Sequence, residues 1–149
     1  MALLAQNPRT ACNPRWRLRR IVAEPQEIAG APDARAAADA ARAAGLDGAL
    51  LDRFPAQVSD GQLQRACLAR VLLQAPRFVF ADEPVAMLDP VSARAVLSVL
   101  DELTAAGTGL MLVSHNAALV RRRAAELVEL QSSGATSTET PIRDPLDSV

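Results

Sequence analysis

The sequence contains no lysine, so all 16 of its basic residues are arginines. It therefore has no G-x-x-x-x-G-K-[ST] loop, in which a lysine contacts the phosphates of a bound nucleotide. Acidic residues number 17, and the formal net charge is −1. This balance argues against a globally basic nucleic-acid-binding protein, because such proteins carry a strong surplus of lysine and arginine. No nucleic-acid partner is expected.

Cysteine is also scarce, since Cys12 and Cys67 are the only two in 149 residues. They lie far apart in a chain without a signal-like start, which favours a reduced, cytosolic setting over a disulfide scaffold. The longest apolar runs are shorter than the roughly 18 residues that cross a bilayer. Any association with a membrane is therefore expected to depend on a partner protein.

Half of the residues are apolar, which is enough for one domain with a core. Short continuous apolar runs predict strands at residues 1–5, 78–81, 110–113 and 126–130, and we expect the middle two to be buried on both faces. Helical periodicity predicts helices within about 15–52, then at 59–74, 89–107 and 117–124. Alternation of strands and helices is typical of an α/β fold with a parallel sheet.

Two acidic residues, Asp82 and Glu83, follow the strand at 78–81 directly. Open parallel sheets present ligand-binding side chains at the carboxyl ends of their strands. An aspartate there can hold Mg²⁺, which prefers few carboxylates together with waters and phosphate oxygens. We therefore assign Asp82 to a metal ion and Glu83 to the activation of a water molecule. The alternative is that the pair only caps a helix.

A predicted helix begins at Ser59, Asp60, Gly61 and Gln62. Free backbone N–H groups and the positive end of the helix dipole make such a start suitable for binding an anion. An alternative is that the acidic side chain of Asp60 only stabilises its own helix.

Three motifs follow one another along the chain: VSDGQLQRACLAR at 58–70, FVFADEP at 78–84 and VSH at 113–115. Together they resemble the ATP-binding subunit of an ABC transporter. The resemblance implies an α/β, P-loop NTPase-like parallel sheet of the ABC ATPase type with a small helical subdomain at about 11–57. It also implies ATP and Mg²⁺ as ligands, and ATP hydrolysis as the reaction of complete family members.

Residues 58–62 match the family signature Leu-Ser-Gly-Gly-Gln with two departures, Val58 and Asp60. Val58 is a conservative replacement. A carboxylate at roughly 6 Å from a phosphate costs about 3 kcal/mol per unit of like charge at an effective dielectric of about 20. Phosphate binding at the signature is expected to weaken unless Asp60 points away or Arg65 compensates its charge.

Three further residues acquire roles through the resemblance. His115, the only histidine, matches the residue that contacts the γ-phosphate, although a lone histidine is commonly just packed or solvated. Asp89 matches the loop that meets the opposite subunit. It can also cap the helix that begins at the next residue, Pro90. Gln6 matches the glutamine that senses the metal and links the site to the membrane subunit.

The segments Asn13-Pro14-Arg15-Trp16 and Ala23-Glu24-Pro25 resemble the branch that serves oligopeptide, dipeptide and nickel importers. Expected partners are a second ABC ATPase subunit, in a homodimer or heterodimer, and a transmembrane permease. The expected location is the cytoplasmic side, peripheral to the inner face of the cell membrane.

The resemblance spans residues 1–131, a partial ABC ATPase domain, and 132–149 is expected to be a flexible tail. The N-terminal strands and the P-loop of the family are missing from the sequence, so the isolated chain is expected to lack a complete ATP site. We expect the chain to be a truncated product of a full-length ATPase, which we favour, or a subunit that acts in trans. Alternatives are a non-catalytic interaction module and a soluble ABC-type ATPase of DNA repair or translation.

Overall fold

A computed structural model describes residues 1–129 and 139–141. The chain forms two compact units, Met1–Val113 and Ser114–Val149. The first unit contains three strands, β1 (Ala2–Leu4), β2 (Phe78–Asp82) and β3 (Gly109–Val113). Its helices are α1 (Leu18–Ile28), α2 (Ala34–Ala43), α3 (Asp60–Gln74) and α4 (Pro90–Ala105), with short 3₁₀ turns at Gly48–Leu50 and Pro55–Gln57.

The three strands of the first unit form one parallel sheet in the order β1-β2-β3. Leu4 lies opposite Ala81, and Asp82 lies opposite Val113. Because the strands are parallel, their carboxyl ends reach the same edge of the sheet. The fold class predicted from the sequence is therefore confirmed.

Capping side chains lie at the starts of three helices, and a glycine follows the end of one. The side chains of Asp33, Ser59 and Asp89 accept hydrogen bonds from the first turns of α2, α3 and α4, respectively. Gly107 follows α4 with a φ of 93°, a left-handed conformation that glycine adopts without steric cost. The predicted limits of these helices are correct to within a few residues.

One face of the sheet packs into the core, where α3 and α4 also bury their apolar residues. The buried members from the strands are Ala2, Leu4, Val79 and Ala81. The opposite face carries Leu3, Phe78 and Met111, which are 54%, 39% and 51% exposed. The prediction that β2 and β3 are buried on both faces is therefore wrong. Within Met1–Val113, the helices that pack on the sheet contact the face that carries Ala2, Leu4, Val79 and Ala81. The apolar side chains of this face and of the helices form one cluster.

The second unit contains α5 (Ala117–Arg121), β4 (Glu126–Val128) and β5 (Glu139–Pro141). β4 pairs with β5 in antiparallel fashion, instead of extending the parallel sheet as predicted. The predicted tail at 132–149 lies outside the described residues, except for the three residues of β5. In the described part of the chain, every helix falls short of the length and apolar character that a bilayer crossing requires.

Candidate functional site

Three of the predicted site residues lie at the carboxyl edge of the sheet. Asp82 is the last residue of β2, Glu83 follows it, and Gln6 comes two residues after the end of β1. Gln6 is exposed, and the two acidic residues are half-buried. The sheet thus places one amide and two carboxylates at neighbouring strand ends.

Glu83 has a left-handed backbone, with a φ of 43°. Its N–H donates a hydrogen bond of 2.9 Å to the carbonyl oxygen of Val113, the last residue of β3. A non-glycine residue in this region costs on the order of 1–3 kcal/mol and persists where its surroundings determine it. The bond to β3 therefore fixes a sharp turn of the chain at Glu83.

The strand ends are joined by Gln64, a residue of α3 that is 1% exposed. Its Nε2 donates hydrogen bonds to the carbonyl oxygens of Ala5, at 3.3 Å, and Pro84, at 3.1 Å. These two carbonyls flank the site, since Ala5 precedes Gln6 and Pro84 follows Glu83. Sequence reasoning recognised Gln64 only as part of a matching motif, because its two partners are 59 and 20 positions away.

The start of α3 is closed by a reciprocal pair of hydrogen bonds. The Ser59 hydroxyl accepts from the Gln62 N–H at 3.2 Å, and the Gln62 side-chain oxygen accepts from the Ser59 N–H at 2.9 Å. This capping box satisfies two backbone donors and fixes both side chains. Ser59, and not Asp60, is therefore the residue that caps the helix.

Asp60 forms an ion pair with Arg9, in which the arginine Nε and a carboxylate oxygen are 2.7 Å apart. Arg9 also donates to the carbonyl oxygens of Pro55, at 2.9 Å, and Val58, at 3.1 Å. The cation beside Asp60 is thus Arg9, and not Arg65, which the sequence offered as one possible source of compensation. Arg65 donates instead to the carbonyl of Gly45 and the hydroxyl of Ser92, because these acceptors lie within its reach.

The starts of α3 and α4 are in close contact. A Cβ atom added to Gly61 would lie 3.1 Å from the Ser92 hydroxyl oxygen, so this position requires a small residue. Asp89 caps α4 by accepting from the N–H groups of Val91 and Ser92, both at 3.0 Å. The hydroxyl and the N–H of Ser92 hydrogen-bond to Asp89 and hold the pKa of its carboxyl below the usual value.

His115 belongs to the second unit, where it is exposed and lies in a bend two residues beyond the end of β3. Asn116, the next residue, caps α5 by accepting from the N–H of Leu119 at 3.1 Å. The phosphate-contacting role of His115 stays a prediction from the resemblance.

The chemistry at the strand ends fits a magnesium ion. Mg²⁺ is usually held by one or two carboxylates, and it keeps several waters and phosphate oxygens. The described residues contain no cluster of three or more His, Cys, Asp or Glu side chains that could enclose a metal. Asp82, with Gln6 and Glu83 at the same edge, matches the sparse ligand set that Mg²⁺ prefers. The sequence offers fewer contacts for the triphosphate of ATP, because it has no lysine-containing phosphate loop.

Comparison with known proteins places these features in a family. Residues 2–86 match the family model described as "ABC transporter". The nickel import ATP-binding protein NikE of Escherichia coli (strain K12) is 32% identical in an alignment of 142 residues that covers 92% of this chain and 53% of that protein. The macrolide export ATP-binding/permease protein MacB of Bordetella avium (strain 197N) is 39% identical over 100 residues, 66% of this chain and 15% of that protein.

Solved structures show the same fold. The ATP-binding cassette MJ0796, in a dimeric post-hydrolysis state bound to ADP and Pi, superposes with a TM-score of 0.81 at 22% identity. The match covers 96% of this chain and 64% of that one. A second dimeric structure of MJ0796, a bacterial ABC transporter cassette, gives a TM-score of 0.73 at 23% identity and covers 84% and 56%. The chain spans about half the length of the nickel-import relatives that it matches.

Proposed function

This chain belongs to the ABC transporter family, and on that premise we propose that it supplies the metal-binding, water-activating and partner-facing residues of an ATP-hydrolysing transporter subunit. The observation that carries the proposal is the placement of Gln6, Asp82 and Glu83 at neighbouring ends of parallel strands. Phosphoryl transfer depends on positioning and on charge stabilisation, and a rigid sheet edge provides both.

Each residue at this edge has a separate task. Asp82 would hold Mg²⁺, with the side-chain oxygen of Gln6 as a further ligand, and the ion when bound neutralises charge on the phosphates. The carboxylate of Glu83 orients the attacking water and accepts its proton. Gln64 positions the two loops relative to each other through its bonds to Ala5 and Pro84. For His115, a residue of the second unit, the resemblance alone supports a contact with the γ-phosphate.

The start of α3 serves a nucleotide held by a facing subunit. Its backbone N–H groups and its dipole favour an anion, and Gly61 allows α4 to pack closely against it. Arg9 neutralises the carboxylate of Asp60, so the departure from the family signature costs less than an unpaired charge would. Asp89, at the adjacent start of α4, faces the second ATPase subunit.

The transported substrate is nickel or a peptide, taken up through a transmembrane permease. The nickel-import relatives are matched over 92% of this chain, and the macrolide-export relative over 66%. The segment shared with the importer branch is structured, since the Arg20 guanidinium lies 4.1 Å above the ring of Trp16 at the start of α1. In this assembly the subunit lies at the cytoplasmic face of the membrane.

The proposal is tested with a chimera that carries, before residue 1, the P-loop segment of a nickel-import relative. We expect the chimera to bind and hydrolyse ATP, and the chain alone to do neither. Glu83→Gln should reduce hydrolysis at least about 100-fold and leave ATP binding intact, since general-base catalysis contributes on that order. The control is Glu102→Gln, which alters an exposed glutamate of α4.

Two results would contradict this proposal. Hydrolysis by the unextended chain would show that its ATP site is complete. Equal hydrolysis rates for the Glu83→Gln and Glu102→Gln chimeras would remove Glu83 from the reaction.

A second candidate function is that of a non-catalytic module that docks on a partner ATPase or permease. The lack of a lysine-containing phosphate loop and the carboxylate of Asp60 in the signature favour it. A chain that alters the ATPase rate of a family member, and itself binds no ATP, would support this alternative.

A further inference from the structure

Cys12 and Cys67 lie side by side in the core of the first unit. Their sulfur atoms are 3.3 Å apart, although the residues are 55 positions apart in sequence. Cys12 lies in the loop between β1 and α1, and Cys67 lies on α3. Both are free, buried cysteines.

We propose that Cys12 and Cys67 form an oxidation site, at which hydrogen peroxide converts the two thiols into a disulfide that joins the loop before α1 to α3. A disulfide requires sulfur atoms at about 2.05 Å and side chains that point towards each other. The thiol–thiol hydrogen bond already brings the two sulfur atoms to 3.3 Å, so they need to approach by only about 1.3 Å to reach bonding distance.

The backbone around the two cysteines is held in place independently of the sulfur atoms. Arg70, three positions after Cys67 on α3, donates to the carbonyl oxygen of Ala11 at 3.0 Å. Ala11 directly precedes Cys12 in the sequence. The same guanidinium nitrogen lies 2.9 Å from a carboxylate oxygen of Glu24 on α1. The approach of the thiols is therefore fixed by a network that persists when either sulfur is changed.

The two thiols have unequal reactivity. The hydrogen bond from Cys67, and secondarily the charge of Arg70, lowers the pKa of Cys12 against the opposing effects of burial and of Glu24. The same bond and stronger burial raise the pKa of Cys67. Cys12 is also the more accessible, at 8% exposed against 2%. Cys12 is therefore the thiol that peroxide oxidises first.

The reaction balances as a two-electron oxidation. The Cys12 thiolate attacks one peroxide oxygen, the O–O bond breaks, and hydroxide leaves to become water, so Cys12 carries a sulfenic acid. The sulfur of Cys67 then attacks the sulfur of Cys12, the S–S bond forms, and the sulfenic oxygen leaves as a second water with the proton of Cys67. Two thiols are oxidised, and one peroxide is reduced to two waters.

The test uses the purified, reduced chain, treated with hydrogen peroxide and then unfolded and labelled with iodoacetamide. We expect the untreated chain to take two labels, and the treated chain to take none and to lose the mass of two hydrogen atoms as a monomer. Circular dichroism before treatment shows that the chain is folded. Cys67→Ser should accumulate a dimedone-reactive sulfenic acid at Cys12, and Cys12→Ser should react at least tenfold more slowly at Cys67.

Several results would overturn the proposal. They are two labels after treatment, disulfide-linked dimers in place of the intramolecular bond, or sulfinic acid at Cys12 without loss of the Cys67 thiol. If a serine variant does not fold, the corresponding alanine variant gives the same comparison, and the labelling of the unsubstituted chain decides the question without either.

Discussion

The guanidinium of Arg9 lies 2.7 Å from the carboxylate of Asp60, across 51 positions of sequence. Arg9 belongs to the loop that follows Gln6, and Asp60 belongs to the first turn of α3. The ion pair therefore connects the end of β1 with the helix start that carries the family signature. The negative charge of Asp60 is therefore paired with a cation from a distant segment of the sequence.

A double-mutant cycle of Arg9→Ala and Asp60→Asn measures this relationship. We expect a coupling free energy of unfolding of about 0.2–1 kcal/mol, since both side chains are partly exposed to solvent. Urea denaturation of the four proteins gives the value. The control cycle replaces Arg9→Ala with Arg15→Ala, an exposed arginine of the same loop, and should show no coupling. Equal coupling in the two cycles would mean that the contact has no energetic significance.

Gln64→Leu should destabilise the first unit by about 1–3 kcal/mol, because it leaves the buried carbonyl oxygen of Pro84 and the partly buried one of Ala5 without this donor. Chemical denaturation measures the loss. Gln74→Leu is the matched control, because Gln74 is an exposed residue of the same helix and also donates to a backbone carbonyl, that of Met1. Similar losses in the two variants would show that Gln64 does not join the strand ends.

Ser59→Ala should lower the free energy of unfolding by about 1 kcal/mol, since it removes the side-chain acceptor at the start of α3. Ser98→Ala, at an exposed position within α4, should change stability by less than about 0.5 kcal/mol. Thermal denaturation followed by circular dichroism compares the two. A loss in Ser59→Ala no larger than that in the control would contradict the capping role.

Asp89 predicts a pH dependence of stability. Its pKa in the folded chain lies below its ordinary value of 3.8, so the carboxylate stabilises the folded state above pH 3.8, and this contribution is lost as the pH falls through the lower folded pKa. Asp89→Asn keeps an oxygen that can cap α4 but carries no charge. The stability difference between the two proteins should be present at pH 7 and shrink below pH 3.8. A difference that is constant from pH 7 to pH 2 would oppose this assignment.

The disulfide between Cys12 and Cys67 should stabilise the chain against unfolding. A bridge between residues 55 positions apart contributes about 4 kcal/mol at 25 °C when the loss of chain entropy in the unfolded state dominates. Peroxide treatment should therefore raise the melting temperature, and a reducing agent should reverse the increase. Cys67→Ser should show no increase. A fall in melting temperature on forming the bond would indicate a strained bridge.

Local patterns in the sequence predicted the elements that carry the site. Ser59 and Asp89 are capping residues whose partners lie within three positions, so the starts of α3 and α4 could be located from the sequence. The strand end at Asp82 follows from a continuous apolar run. These predictions succeeded because hydrogen bonding and periodicity within a single element determine them.

Contacts between distant segments could not be predicted in this way. Arg65 is close to Asp60 in the sequence, whereas Arg9 is close to it in space. Only the fold shows that Arg9 forms the ion pair with Asp60 and that Arg65 binds the carbonyl of Gly45. The exposure of Met111 is a similar case. An apolar run indicates a strand, but the arrangement of other elements determines which of its faces they cover.

At position 83, the backbone conformation and the proposed chemistry favour different residues, because Glu83 has a left-handed backbone. Glycine would relax the turn, and a β-branched residue would strain it further, whereas the proposed reaction needs a side chain at this position that can accept a proton. Selection for stability alone would therefore favour glycine at position 83, which removes the carboxylate that the proposed reaction requires. A library randomised at codon 83 would separate the two requirements. Selection that retains glutamate would indicate a need for the carboxylate, and selection that enriches glycine would indicate a need for the turn alone.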